Sequence, residues 1–351
     1  MLAAYVTGHG FGHAVRLCEV LRAIRARAPG LAIALTGAIP EWLVRRDVPG
    51  PVELRALACD VGLVQRDALR VDEAETARRC AGFDATWDAT LAREVAFLRA
   101  SGARAVLADV PALPFAAAAR AGLPALGLAN FSWDWIYAHL AVRVPSLAAS
   151  ARRAAEAYGT ASLLLELPFA GDLTAFPRRT PVGLVARRPR LDREEARRRL
   201  GLDGRPAVLV SFGGVGLPGL GPQTLRPLSG AYRFLFPDDL GADRLAALRV
   251  AYEDVIHAAD AVVTKPGYGI VSDAIAAGTR LVYTDRGDFP EYDVLVAEMP
   301  RYLAAVHVSN ADLAAGRLGE PLARVLALPV PPSPDLGGAG RAAERVLAAL
   351  G

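Results

Sequence analysis

The first stretch of this chain constrains its fold most. An apolar run, "LAAYV", passes directly into "TGHGFGHAVR" and then into the helical pattern "AVRLCEVLRAI". A buried strand, a tight Gly-rich turn and a helix opening from that turn make the first half of a strand–helix–strand unit. Gly8, Gly10 and Gly12 begin like the dinucleotide-binding turn G-x-G-x-x-G, but His13 stands where the third glycine belongs. The turn is therefore read as one that presents an imidazole.

Similar alternation continues through "LAIALTG", "AVLADV", the small-residue helix "PFAAAARAG" and the strand "PALGLAN". It lapses into prolines and arginines over residues 172–190. It then restarts with "AVLVSFGG", "AYRFLF", "AVVTKPG" and "RLVYTD". The expected fold class is α/β with two Rossmann-like halves facing a cleft. Residues 1–175 form the first domain and 190–351 the second, with the last helix free to pack back on the first. In such sheets ligands bind beyond the carboxyl ends of the strands, so His13 and Asp109 are expected on one rim.

Composition narrows the class. The 351 residues are 53% hydrophobic and 22% charged, as expected of a soluble globular protein with a large core. Gly and His interrupt the first ten residues, so no secretory signal is expected, and no apolar run is long enough for a transmembrane segment. A net charge of +3 points to no nucleic-acid partner. Cys18, Cys59 and Cys80 lack metal-ligand spacing, so no metal is expected, and they read as thiols of a reducing cytoplasm. The arginine run after Asp192 and Glu195 reads as a solvated helix face behind a capping box.

Two constellations carry chemistry. His13 opens a helix, where the positive end of the helix dipole disfavours an imidazolium and leaves a neutral base. Asp109, at a strand end, is placed to take the other ring proton and orient the ring, while His9 remains a second imidazole in the same turn. The alternative is that His13 and Asp109 are only helix caps. The second constellation is "KPGYGIVSD": Lys265, the one lysine of the chain, ends a strand, and Gly267, Tyr268 and Gly269 open a helix through Ser272 and Asp273. Backbone amides with a compact cation suit a diphosphate, Asp273 suits ribose hydroxyls, and Glu291 with Asp288 on the next loop suits a sugar. Gly213 and Gly214 offer further amide donors. Against this stands a plain strand–helix turn with a surface lysine.

Together these motifs resemble the GT-B glycosyltransferases, including the MurG-like group. "FGHAVRLCEVL" resembles the loop and helix bearing that family's catalytic histidine, which implies His13 rather than His9. "VLADVPALPFAAAARAGLPALGL" resembles the segment whose aspartate pairs with it, which implies Asp109. "KPGYGIVSDAIAAG" and "DFPEYDVL" resemble the donor-binding signature, with Lys265 where a histidine is usual and Asp273 where a glutamate is usual. "YVTGHGFGHAVR", "CDVGLVQRDALRVD" and "NFSWDWIYA" are similar to the glycosyltransferase-like N-terminal domain of plant L-arabinokinases and its free-standing bacterial relatives.

The resemblance implies inverting, metal-independent transfer from a nucleotide diphosphate sugar to a small or glycan acceptor, with no bound cofactor. His9, Gly10, Phe11, Gly12, Asp60, Gln65, Trp133 and Asp134 are the expected acceptor side, where Trp133 serves equally well as core packing. A nucleotide-sugar hydrolase or epimerase, or a non-catalytic sugar-binding protein, is the alternative on the same scaffold.

Overall fold

The computed structural model describes residues 1–213, 217 and 219–351. The chain forms two compact units. One comprises Met1–Val64, Val71–Val185 and Asp335–Gly351, the other Gln65–Arg70 and Ala186–Pro334.

The first unit runs β1 (Leu2–Val6), α1 (Phe11–Arg27), β2 (Ile33–Thr36), α2 (Glu41–Asp47), β3 (Glu53–Arg55), α3 (Glu73–Ala100) and β4 (Ala105–Asp109). It continues through α4 (Leu113–Ala121), β5 (Ala125–Ala129), α5 (Trp133–Ala141), α6 (Leu147–Tyr158), β6 (Leu163–Glu166) and β7 (Arg179–Pro181). The second unit runs α7 (Arg193–Arg199), β8 (Ala207–Ser211), α8 (Pro222–Leu225), β9 (Arg233–Leu235), α9 (Ala242–Leu248), α10 (Tyr252–Ala258) and β10 (Ala261–Thr264). After these come α11 (Tyr268–Ala277), β11 (Arg280–Tyr283), α12 (Pro290–Glu298), β12 (Ala305–His307), α13 (Asn310–Ala314) and α14 (Gly319–Ala327). A further helix, α15 (Gly338–Leu350), returns to the first unit, where it packs on α1.

Both sheets are parallel. Their strand orders are β3-β2-β1-β4-β5-β6-β7 and β12-β11-β10-β8-β9. Every residue of β1, β4, β5 and β8 is buried, which is why these strands read as unbroken apolar runs and not as alternation. In each sheet the chain reverses its winding once, between β1 and β4 and between β8 and β10. At such a switch point the flanking loops part and leave a crevice at the strand ends. Val6 is in register with Asp109, and Ser211 with Thr264. The Gly8–Gly12 turn, Asp109, Gly213 and Lys265 thus each follow or end a switch-point strand.

The six residues Gln65–Arg70 form a strap that belongs to the second unit. Asp67 staples it by accepting from the amides of Leu69 and Arg70 at 2.8 and 2.9 Å. Ala68, 2% exposed, is buried in the second core with Val208, Val210, Val263 and Leu322.

The helix carrying His13 depends on α15 for cover. At its start, the Gly338 amide donates to the Leu184 carbonyl at 3.2 Å, and a Cβ at 338 would stand 2.4 Å from that same oxygen. Gly338→Ala should cost about 2 kcal/mol by overpacking, read as a lowered urea midpoint at unchanged m-value. An unchanged midpoint would show that α15 shifts freely.

Candidate functional site

In the first unit, α1 starts at the β1 switch point. Gly10 supplies its N-cap at φ 76°, a left-handed conformation that favours glycine, and no side chain caps the helix or places an acid in its first turn. His13 lies in this first turn, 7% exposed, and its Nδ1 is 2.7 Å from Oδ1 of the fully buried Asp109. Sequence reasoning missed a third member, Arg16. Its Nε donates to Asp109 Oδ2 at 2.5 Å, its Nη2 to Asp109 Oδ1 at 2.6 Å, and its Nη1 to Asn130 Oδ1 at 2.6 Å. The available signal was spacing, since a residue three positions on lies on the same helix face.

Burial by itself would raise the Asp109 carboxyl, but the charges of Arg16 and then His13 outweigh it and hold the group below its ordinary range. An ionised carboxylate only accepts. A ring lone pair facing it at 2.7 Å would be repelled, so Nδ1 carries the proton and Nε2 keeps the lone pair. His9 has the opposite arrangement. Its Nδ1 accepts from the Leu63 amide at 3.3 Å, which puts the proton of a neutral ring on Nε2. The two imidazoles lie 6.5 Å apart between ring centroids, and of the two only His13 offers a base at Nε2.

Around them, Gly10, Phe11 and Gly12 are exposed, Phe11 at 47%. Trp133 is 1% exposed, edge-on to His9 at 5.3 Å and stacked on Tyr137 at 5.7 Å, with its indole N–H donated to Asp60 Oδ2 at 2.8 Å. Its ring faces are thus taken up in packing. Burial pushes the Asp60 carboxyl above its ordinary range, against the hydrogen bonds from Thr7 and Trp133. Burial also raises Asp134, whose Oδ1 has no hydrogen-bond partner. Beside Asp60 and Trp133 lies a small recess, walled also by Cys59, Phe83, Trp87 and Tyr137. Gln65 is half-buried in the strap, with the second unit.

In the second unit, α11 opens at Gly267, again with no side-chain cap and no acid in the first turn. Lys265 directly follows the switch-point strand β10, and its Nζ donates to the Ala68 carbonyl of the strap at 2.5 Å. Burial, helped by the nearby charge of Arg286, pushes this amine down to about 8. Arg286 is a second cation that the sequence reading passed over. It donates to the Pro266 carbonyl at 3.3 Å and to Glu291 Oε2 at 2.8 Å, and lies 4.2 Å over the Phe289 ring.

The other expected donor residues sit as follows. Tyr268 is 4% exposed, and the Ser272 hydroxyl donates to the Gly269 carbonyl at 3.0 Å. Asp273 is 3% exposed and accepts from the Arg187 amide at 3.0 Å, from its Nε at 2.9 Å and from its Nη2. Its carboxylate is committed to an ion pair, and Arg187 is held above its ordinary range by Asp273 and Glu253 despite burial. Glu291 is 3% exposed, Asp288 is exposed, and Gly213 is exposed at φ 73°. Gly214 lies outside the described residues. Among the described residues no three His, Cys, Asp or Glu side chains are grouped to hold a metal ion, and no helix is long and apolar enough to cross a membrane.

The same architecture occurs in solved structures. The glycotransferase of kitacinnamycin aligns over all of this chain and 99% of its own, with a TM-score of 0.64 at 18% identity. A UDP-glucosyltransferase from Polygonum tinctorium, capable of glucosylating indoxyl, aligns over 99% of this chain and 98% of its own at 0.63 and 15%. The chain has the GT-B fold. The GT-B likeness extends to the glycosyltransferase SnogD from Streptomyces nogalater, at a TM-score of 0.52 and 19% identity over all of this chain and 95% of that one. By sequence, the chain is 32% identical to L-arabinokinase of Arabidopsis thaliana over 339 residues, 93% of its own length. It spans about a third of the length of that relative, 32%. No family model matches the sequence.

The buried amine of this GT-B chain has a thermodynamic signature. Unfolded, Lys265 holds its proton up to its ordinary 10.5, and folded only to about 8. The unfolded state therefore binds more protons across that window, and this residue's share of stability rises as pH rises through it. Lys265→Met should be more stable than wild type near neutral pH by urea unfolding, with the difference closing towards about pH 10. A difference that does not change with pH would mean the amine is not desolvated.

Proposed function

We propose that this protein transfers a sugar from a nucleotide diphosphate sugar to an acceptor hydroxyl, with inversion at the anomeric carbon and without a metal. The observation that carries the reading is the buried His13–Asp109 contact at 2.7 Å, which leaves Nε2 as a lone pair at an uncapped helix start. His13 takes the acceptor proton as the acceptor oxygen attacks the anomeric carbon. The bond from that carbon to the diphosphate oxygen breaks, and its electron pair leaves with the diphosphate. Asp109 orients the ring and balances the imidazolium that forms.

On the same reading the second unit holds the donor. Lys265, Arg286 and the amides at the start of α11 meet the diphosphate, whose charge grows as it leaves. Glu291 and Asp288 serve the sugar, and Asp273 serves the ribose when its ion pair with Arg187 opens to it. The recess beside Asp60 and Trp133, with Asp134, the half-buried His9 and the exposed residues Gly10, Phe11 and Gly12, serves the acceptor. The fold neighbours support this reading, since they include glycosyltransferases bound to UDP and to UDP-2-fluoro-glucose. The intact histidine–carboxylate pair favours transfer over a non-catalytic binding role.

Binding of UDP, TDP, GDP and ADP by thermal shift tests the donor site. One nucleotide should stabilise the protein, and Lys265→Ala should abolish that shift. With the donor identified, His13→Ala should lower turnover by at least about a hundredfold while leaving donor affinity nearly unchanged. Equal turnover in this variant would remove His13 as the base, and the absence of any nucleotide shift would sink the transferase reading.

A further inference from the structure

Arg16 is 3% exposed, one helical turn from His13, and reaches no solvent through which to bind a substrate directly. Its fork nevertheless takes both oxygens of the carboxylate that orients His13, and its Nη2 lies 3.0 Å from His13 Nδ1. A bare imidazole–carboxylate pair carries one net negative charge, which the imidazolium cancels on forming. With Arg16 in the cluster, the neutral-ring state has no net charge, and protonation of the ring leaves a buried cation beside a guanidinium. Like charges this close disfavour the charged form.

Other groups also face the ring. His9 faces it from the turn before α1, and Asn130 and Phe131, from the segment after β5, bring no charge. Asp60 also acts on it, its carboxyl raised by burial against hydrogen bonds from Thr7 and Trp133 and the charge of His13.

We propose that Arg16 is a positioning residue that sets the proton affinity of His13: its fork holds both oxygens of Asp109 and cancels the carboxylate's charge. His13 then keeps its Nε2 lone pair to lower pH than a histidine–carboxylate pair alone would allow. The inference rests on the reading of His13 as the base, but its test needs no turnover.

The test is an NMR titration of the five imidazoles in the full-length protein, with the His13 signals assigned by their loss in His13→Gln. In Arg16→Met the His13 midpoint should rise by at least about one pH unit, a tenfold change in proton affinity. Arg16→Lys keeps the charge without the fork and should stay near wild type. The other four histidines should not move, which separates the effect from a general loosening of the fold. Arg16→Gln is a second neutral variant should the methionine protein not fold. Equal midpoints in all proteins, or a lower one in the neutral variants, would overturn the assignment. If a donor is found, the acid limb of the turnover profile should move with the midpoint. A protein that shows the titration shift yet turns over no nucleotide sugar would refute the transferase reading and leave the role of Arg16 standing.

Discussion

The parallel ladder between β1 and β4 brings residues about a hundred positions apart into one register, and the first-unit site depends on it. The ladder ends with Val6 opposite Asp109, and the Thr7 amide donates to the Asp109 carbonyl at 2.9 Å. That pairing fixes where the Gly-rich turn departs and therefore where α1 points its first residues. A one-residue slip in a parallel sheet would turn every side chain to the opposite face. Asp109 would then point away from His13, and the guanidinium of Arg16 would be buried without its counter-charge.

The alternation of strands and helices was legible because central parallel strands are buried on both faces and appear as short apolar runs between turn residues. His13 and Asp109 were legible for a related reason, since polar residues that interrupt such runs at strand ends stand out. Arg16 was not. In a chain whose basic residues are almost all arginine, one more carries no signal, and only the fold shows that this one is sealed against a carboxylate. Arg187 is obscured in the same way, which is why the buried partner of Asp273 could not be anticipated from its helix alone.

The strap is the other element that sequence reasoning could not reach. "QRDALR" shows no shift in composition and no periodicity, and it lies inside a stretch otherwise belonging to the first unit. Its place follows from two contacts, an alanine small enough to sink into the valine-rich core of the second unit and a carbonyl that receives the ammonium of Lys265. That carbonyl also bears on why the chain's one lysine stands here. A compact ammonium with three donors can satisfy a carbonyl and still have N–H bonds to offer, whereas a planar fork demands acceptors in its own plane.

The interleaving of the two units has a consequence for how the molecule comes into being. Neither unit is written as one continuous sentence of sequence. The second core stays open until it recovers Ala68, translated well over a hundred residues before the strands it joins, and α1 stays uncovered until residues 335–351 exist. The first unit must therefore wait for part of its own cover, whereas the second draws on a segment already made, and a graft that exchanged one unit for another at a single splice would leave a hole in both.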